Sequence, residues 1–148
     1  GFEAGIAIAF SKELKLSSQY NITKGFAQDQ QGTKEALRHA APAYGNTRLI
    51  YNKTKLTLAA FAEYNGQFDF EDLAPSQQNN AFLYAADQNG NPYAPKWYTL
   101  NFSAQYKYSK SLQINATLEN ITDQRYRPYS SGLSAPGRNL IVAATYTF

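Results

Sequence analysis

Cysteine and methionine are absent from this 148-residue chain, and histidine and tryptophan occur once each. Without cysteine there is no disulfide framework, no thiolate metal site and no Cys nucleophile. A single histidine excludes a multi-His metal centre. Charge is scarce as well: Asp, Glu, Lys and Arg together make up 17%, against roughly 25% in ordinary soluble domains. Lys plus Arg number 14 and Asp plus Glu 11, a formal charge of +3 with no basic run, so no nucleic-acid partner is expected. The longest apolar run, residues 4–10, falls far short of the ~18 residues of a membrane-spanning helix, and the opening residues carry no signal-peptide pattern. Aromatics are plentiful: 12 Tyr and 9 Phe. The length suits one domain.

The informative pattern has period two. In residues 111–121, Leu112, Ile114, Ala116 and Leu118 alternate with Gln113, Asn115, Thr117 and Glu119. In residues 98–108, Tyr98, Leu100, Phe102, Ala104, Tyr106 and Tyr108 alternate with Thr99, Asn101, Ser103, Gln105 and Lys107. Leu140, Val142, Ala144, Tyr146 and Phe148 form one face of the last segment. Upstream, Phe2 to Phe10, Leu14 to Ile22 and Leu56 to Tyr64 repeat the pattern, with a weaker strand at Thr47, Leu49 and Tyr51. Seven strands are expected. Most run about ten residues, longer than the usual five or six of soluble sheets but the length a tilted strand needs to cross a bilayer.

The connections alternate in length. Residues 11–13, 52–54 and 109–110 read as tight polar turns; residues 25–43, 66–95 and 124–137 are long links rich in Asn, Gln, Gly, Pro and Ser. An up-and-down meander places all short turns at one end and all long loops at the other, the asymmetry of outer-membrane barrels, with short turns periplasmic and long loops extracellular. One stretch, residues 32–41 (GTKEALRHAA), is expected to form a helical turn or two.

Alternation alone does not say which way the apolar face points, because a soluble barrel or sandwich alternates too. Two features favour outward. The apolar rows hold no charge, and Arg or Lys on a lipid face costs about 2–4 kcal/mol at the bilayer midplane. The opposite rows are mostly Gln, Asn, Ser and Thr with few charges, which suits a watery lumen better than a soluble surface. Aromatics also gather at strand ends, where interfacial girdles sit. Leu100, Phe102, Leu112, Ile114, Leu118 and Leu140 are therefore expected to face lipid. A Lys at Asn115 or Asn101 is expected to be mild.

The stretch LENITDQRYRPY at residues 118–129, followed by SSGLSAPGRNLIVAATYTF to Phe148, resembles the C-terminal end of a TonB-dependent outer-membrane receptor of the Bacteroidetes type. The resemblance is carried by Asn120-Ile121-Thr122-Asp123, a Tyr-rich loop, Pro136-Gly137-Arg138 and an aromatic last residue. It implies an all-β, antiparallel up-and-down transmembrane barrel segment, seven strands of a barrel of about 22 around a plug, with residues 1–148 its C-terminal part and the plug and first strands outside the chain. It also implies an active importer of a scarce ligand (iron chelate, haem, oligosaccharide or peptide), with no catalytic residue, metal or cofactor. The partners implied are outer-membrane lipid, the remaining strands and plug, the TonB complex through the N-terminal part, the barrel-assembly machinery and a surface lipoprotein. Val142, Ala144, Tyr146 and Phe148 resemble the signal read by that machinery. Physics agrees that seven strands need completion, since an open edge in lipid leaves backbone groups unpaired at several kcal/mol each.

Among candidate sites, the loop aromatics Phe82, Tyr84, Tyr93, Trp97, Tyr126 and Tyr129, with Arg125 and Arg127, form a ligand-contact set: aromatic faces stack on flat groups and Arg grips carboxylates. Interfacial anchoring and loop packing explain the same residues. Asp123, Arg125 and Arg138 suggest a salt bridge holding the last loop. His39, beside Arg38, reads as a solvated loop residue. Asp87-Gln88-Asn89-Gly90-Asn91 departs from a calcium loop in the offset of its Gly and in having Tyr98 where Glu is required; an Asn-Gly turn is the better reading. No Gly-x-Ser-x-Gly elbow surrounds any Ser. A soluble ligand-binding barrel or sandwich, and a small complete outer-membrane barrel with a structural or adhesive role, remain open alternatives.

Overall fold

The computed structural model describes residues 1–28 and 30–148. Eleven strands follow in chain order: β1 (Phe2–Ala9), β2 (Leu14–Ile22), β3 (Phe26–Gln28), β4 (Lys34–Ala36), β5 (Tyr44–Lys53), β6 (Leu56–Asn65), β7 (Ala85–Ala86), β8 (Pro92–Tyr93), β9 (Trp97–Lys107), β10 (Leu112–Glu119) and β11 (Asn139–Tyr146). Seven of them build one antiparallel sheet in the order β1-β2-β5-β6-β9-β10-β11; β3–β4 and β7–β8 are small ribbons inside two of the long links. The chain is an antiparallel segment of barrel wall, a meander in which each long strand pairs with the next.

Register carries the sequence alternation across the whole sheet. Leu16 stands opposite both Ile8 and Leu49, Leu49 opposite Ala60, Ala60 opposite Phe102, Phe102 opposite Leu118 and Leu118 opposite Leu140. Because side chains alternate with period two, this register puts every apolar row on one face and every Gln/Asn/Thr row on the other. β5 is twice the length its weak alternation suggests, because Tyr44, Gly45 and Asn46 continue the pairing with β2 and β6. Gly45 is required there: a Cβ would strike the Gln19 carbonyl oxygen and come within 2.7 Å of the Tyr64 ring, which covers the glycine from the paired position on β6.

Burial on this sheet is inverted relative to a water-soluble fold. Val142 and Leu140 are each 66% exposed, and Ile6, Leu49, Leu100, Phe102 and Ile114 are exposed too. Thr99 and Asn101, on the polar face, are 2% and 6% exposed. The polar rows are knitted together: Gln105 Nε2 donates to Gln113 Oε1 at 2.7 Å and the Arg48 guanidinium lies 4.1 Å from the Phe61 ring centroid; on the apolar face the Ser18 and Thr47 hydroxyls meet at 2.8 Å.

The tight turns follow their residues. Ser11 Oγ accepts from the Glu13 and Leu14 amides, and Ser109 Oγ accepts from those of Ser111 and Leu112, local bonds that Ser offers the backbone in turns. Residues 32–41 differ from expectation: there is no helix, but strand β4 paired with β3 and a turn closed by the Ala40 amide on the Leu37 carbonyl at 3.2 Å. Gly32 and His39 take positive φ, which interrupts a right-handed helix, and Phe26 supplies a pairing partner opposite Ala36. A helical turn occurs instead at Pro75–Gln78, with proline at the first helical position, where its missing N–H costs nothing.

Candidate functional site

Among the described residues, the packed cluster of buried apolar side chains lies in the loops. The link after β6 is closed at its neck by reciprocal backbone bonds between Phe68 and Ala94, at 3.0 and 2.9 Å. Phe68, Leu73 and Ala94 are buried together, with Tyr84 and Tyr129 against them. Tyr129 comes from the last long link, so the second and third loops share one core; its ring meets Phe68 edge-on at 5.3 Å. Gln77, 3% exposed, joins them by hydrogen bonds. Its Nε2 lies 2.9 Å from the hydroxyls of both Tyr84 and Tyr129, and Tyr129 also donates to Gln77 Oε1 at 3.1 Å.

Between these loops lies a cavity of about 290 Å³. It brings together six of the eight residues expected at a ligand site: Tyr84, Trp97, Arg125, Tyr126, Arg127 and Tyr129. Trp97 opens β9 on the polar face, and Tyr126 stacks on it at 4.2 Å with 30° between the rings. Burial, with smaller contributions from the Glu63 and Glu119 carboxylates, pushes the Tyr126 phenol above its ordinary range, and burial does the same for Tyr129; both hydroxyls stay protonated at neutral pH and remain donors. Arg127 is tied by Nη1 to the Phe82 carbonyl at 2.9 Å. The Trp97 indole N–H is out of solvent without a hydrogen-bond partner.

Tyr93 lies elsewhere, in a neighbouring open hollow beside Asp69, Glu71 and Asp87. The Phe82 side chain stands out in solvent and His39 sits on an exposed turn. The stretch at 87–91 is the Asn-Gly turn expected: Asp87 Oδ1 accepts from the amides of Asn89 and Asn91, both at 2.8 Å, and Gly90 has φ +83°. The Asn91 and Asn89 amides hold the Asp87 carboxyl below its usual range, against a smaller opposing desolvation. Among the described residues no group of three or more His, Cys, Asp or Glu is arranged to hold a metal ion.

The last loop is held, but not by the salt bridge expected of Asp123, Arg125 and Arg138. Asp123 Oδ1 accepts from the Arg138 backbone amide at 2.8 Å, and Arg138 Nε donates to the Ile121 carbonyl at 3.1 Å. The carboxylate thus caps a main-chain donor, and Gly137 leaves it room, since a Cβ there would come within 2.7 Å of Asp123 Oδ1. Asn120 does more. It is 3% exposed with φ +48°, its amide donates to Asn101 Oδ1 at 2.8 Å, and its side chain bridges Gln124 and the Pro136 carbonyl. Asparagine tolerates the left-handed conformation and carries the donor and acceptor that this stitching needs.

Sequence reasoning missed Gln77, Lys96 and Ser134, which shape or line the cavity, and the roles of Asn101 and Asn120. The proline at position 75 marks the helical turn that presents Gln77. Nothing local pairs Asn101 with Asn120, since they sit 19 residues apart on facing elements.

No protein-family model matches the chain. Among solved structures it is similar to the copper transporter OprC, at 14% identity over 99% of this chain and 22% of that one, with a TM-score of 0.76. It is also similar to the ferric enterobactin receptor PfeA of Pseudomonas aeruginosa, at 17% identity over 99% and 22%, TM-score 0.69. The ferripyoverdine receptor of the outer membrane of the same organism matches at 16% over 97% and 19%, TM-score 0.62. The likeness is one of fold, and the chain spans about a fifth of each of these proteins.

Proposed function

We propose that this chain is the C-terminal part of the barrel wall, with three outer loops, of a TonB-dependent importer in the outer membrane of Bacteroidetes-type bacteria. The observation that carries the reading is the inverted burial, clearest on β9: Tyr98, Leu100, Phe102 and Tyr106 stand exposed while Thr99 and Asn101 on the other face are buried. In water that arrangement would expose an unusually large apolar surface, which weighs against a soluble binding module; in a bilayer Leu100, Phe102, Leu112, Ile114, Leu118 and Leu140 meet hydrocarbon, and the polar rows meet a plug or water. The solved proteins of like fold, named as copper, enterobactin and pyoverdine transporters or receptors, support the same reading.

In this reading the short turns are periplasmic and the loops extracellular. The aromatic and arginine-lined cavity between the second and third loops contacts the incoming ligand, an iron chelate, haem, oligosaccharide or peptide, and the residues perform no bond chemistry. The plug and TonB-contacting segment belong to the part of the protein outside this chain. The free edges of β1 and β11 pair with the remaining strands, and Val142, Ala144, Tyr146 and Phe148 are read by the barrel-assembly machinery; a surface lipoprotein is a further partner of the loops. Membrane fractionation tests the proposal: the full-length protein should sediment with outer membrane and need detergent for release. A monomer stable in plain buffer would overturn it. Deleting Phe148 should lower surface levels far more than ligand affinity, and normal surface levels would remove the assembly-signal role.

A further inference from the structure

The cavity between the second and third loops has a composition that restricts what enters it. Three cations line it, Lys96, Arg125 and Arg127, and among the described residues no carboxylate does; Glu63 and Glu119 act on Tyr126 from the polar face of the sheet and lie outside the lining. One wall is the stacked pair Trp97 and Tyr126. The lining also carries Tyr84 and Tyr129, whose hydroxyls are fixed by the buried Gln77 amide. Arg127 is anchored to the Phe82 carbonyl, so part of the cost of ordering it is met before any ligand arrives. At about 290 Å³ the space is at the small end for ligand sites and suits one ring-bearing arm. A neutral sugar would leave the cations without a counterpart, whereas Arg pairs with a carboxylate in two parallel hydrogen bonds.

Resting on the importer reading, we propose that this cavity takes an anionic group joined to a flat ring, with the carboxylate on Arg125 and Arg127 and the ring against the Trp97–Tyr126 wall. Lys96 adds a point charge to the same end. Two sources share this chemistry, a free aromatic acid and the aromatic C-terminal residue of a peptide.

The test uses full-length protein recovered from outer membrane in detergent, with binding followed by the fluorescence of 2-naphthoate. Its neutral isostere 2-naphthamide should bind about tenfold more weakly, the loss expected for one charge-assisted contact, and cyclohexanecarboxylate, an anion without a flat ring, should also bind more weakly. Arg125→Gln and Arg127→Gln should each weaken 2-naphthoate about tenfold and leave 2-naphthamide unchanged. Tyr126→Leu should weaken both ring compounds. Tighter binding of N-acetylphenylalanine than of 2-naphthoate assigns the group to a peptide terminus, and the reverse assigns it to a free acid. Equal binding of acid and amide, no binding of either, or indifference to both arginine changes overturns the inference. Those outcomes in membrane-recovered protein leave the importer reading standing; recovery of the protein from the soluble fraction ends both.

Discussion

In the sheet, Phe102 and Val142 stand 41% and 66% exposed, while Thr99 behind them is sealed at 2%; in the loop layer, Leu73 is sealed at 1% beside a buried Gln77. The two regions are built from the same residue types by opposite rules. The loops fold as water-soluble structure does, with an apolar cluster, satisfied buried amides and exposed charges. The sheet leaves apolar side chains such as Leu100 and Phe102 uncovered and buries polar ones such as Thr99 and Asn101, an arrangement suited to hydrocarbon surroundings. In the importer reading the solvent boundary lies at the ends of the strands, where Tyr44, Tyr64, Trp97 and Tyr98 stand.

The comparison is broken most sharply by charge on the apolar rows. Leu100→Arg or Ile114→Arg should cost about 2–4 kcal/mol in unfolding measured from lipid vesicles, whereas Asn115→Lys, on the opposite row of the same strand, should stay near zero. Equal losses would erase the distinction between the faces. Asn101 no longer belongs with Asn115 as a mild position, because it is buried and accepts the Asn120 amide. Asn101→Ala or Asn120→Ala should cost about 1–3 kcal/mol through an unpaired buried group, and Asn120→Gly should recover only the backbone part of that loss.

A third prediction concerns the loop layer alone. Gln77→Leu removes the amide that holds Tyr84 and Tyr129, and should cost about 1–3 kcal/mol while increasing hydrogen exchange in both loops and leaving sheet amides protected. Faster exchange throughout the sheet would mean that wall and loops do not behave as separate regions. The smallest effect is at the Asp87 turn. Its carboxyl titrates below its ordinary value in the folded chain, so the turn contributes stability above the unfolded pKa and loses it as pH falls through the lower, folded one. Loop exchange around residues 87–91 should rise only at acid pH, below about 4, and Asp87→Asn should abolish that dependence.

The wall was legible in the sequence because a register of period two leaves its trace in every residue: Leu112, Ile114, Ala116 and Leu118 name their face without reference to any partner. Strand β5 was under-read where Gly45 breaks the alternation, and its length became visible only once Tyr64 was seen to cover the glycine. The loops were legible in composition but not in contact. The aromatic and arginine set was recognisable, and six of its members do surround one cavity, yet Tyr93 stands apart and the organising amide of Gln77 was invisible. Contacts such as Gln77 to Tyr129 span 52 residues and are fixed by which loops meet, which no local pattern records. The expected helix at 32–41 failed for the same reason: pairing with β3 outweighed helix-favouring Ala, Leu and Glu.

The central claim is that the even-numbered row of β9, β10 and β11 touches hydrocarbon. This chain supplies no native cysteine, so single cysteines at Leu100, Ile114 and Val142, and at Asn115 and Thr117 on the other row, can each carry a fluorophore in the full-length protein reconstituted with brominated lipid. Strong quenching at the first three and little at the other two is the predicted result; equal quenching on both rows, or quenching of Asn115 and Thr117 alone, would contradict it.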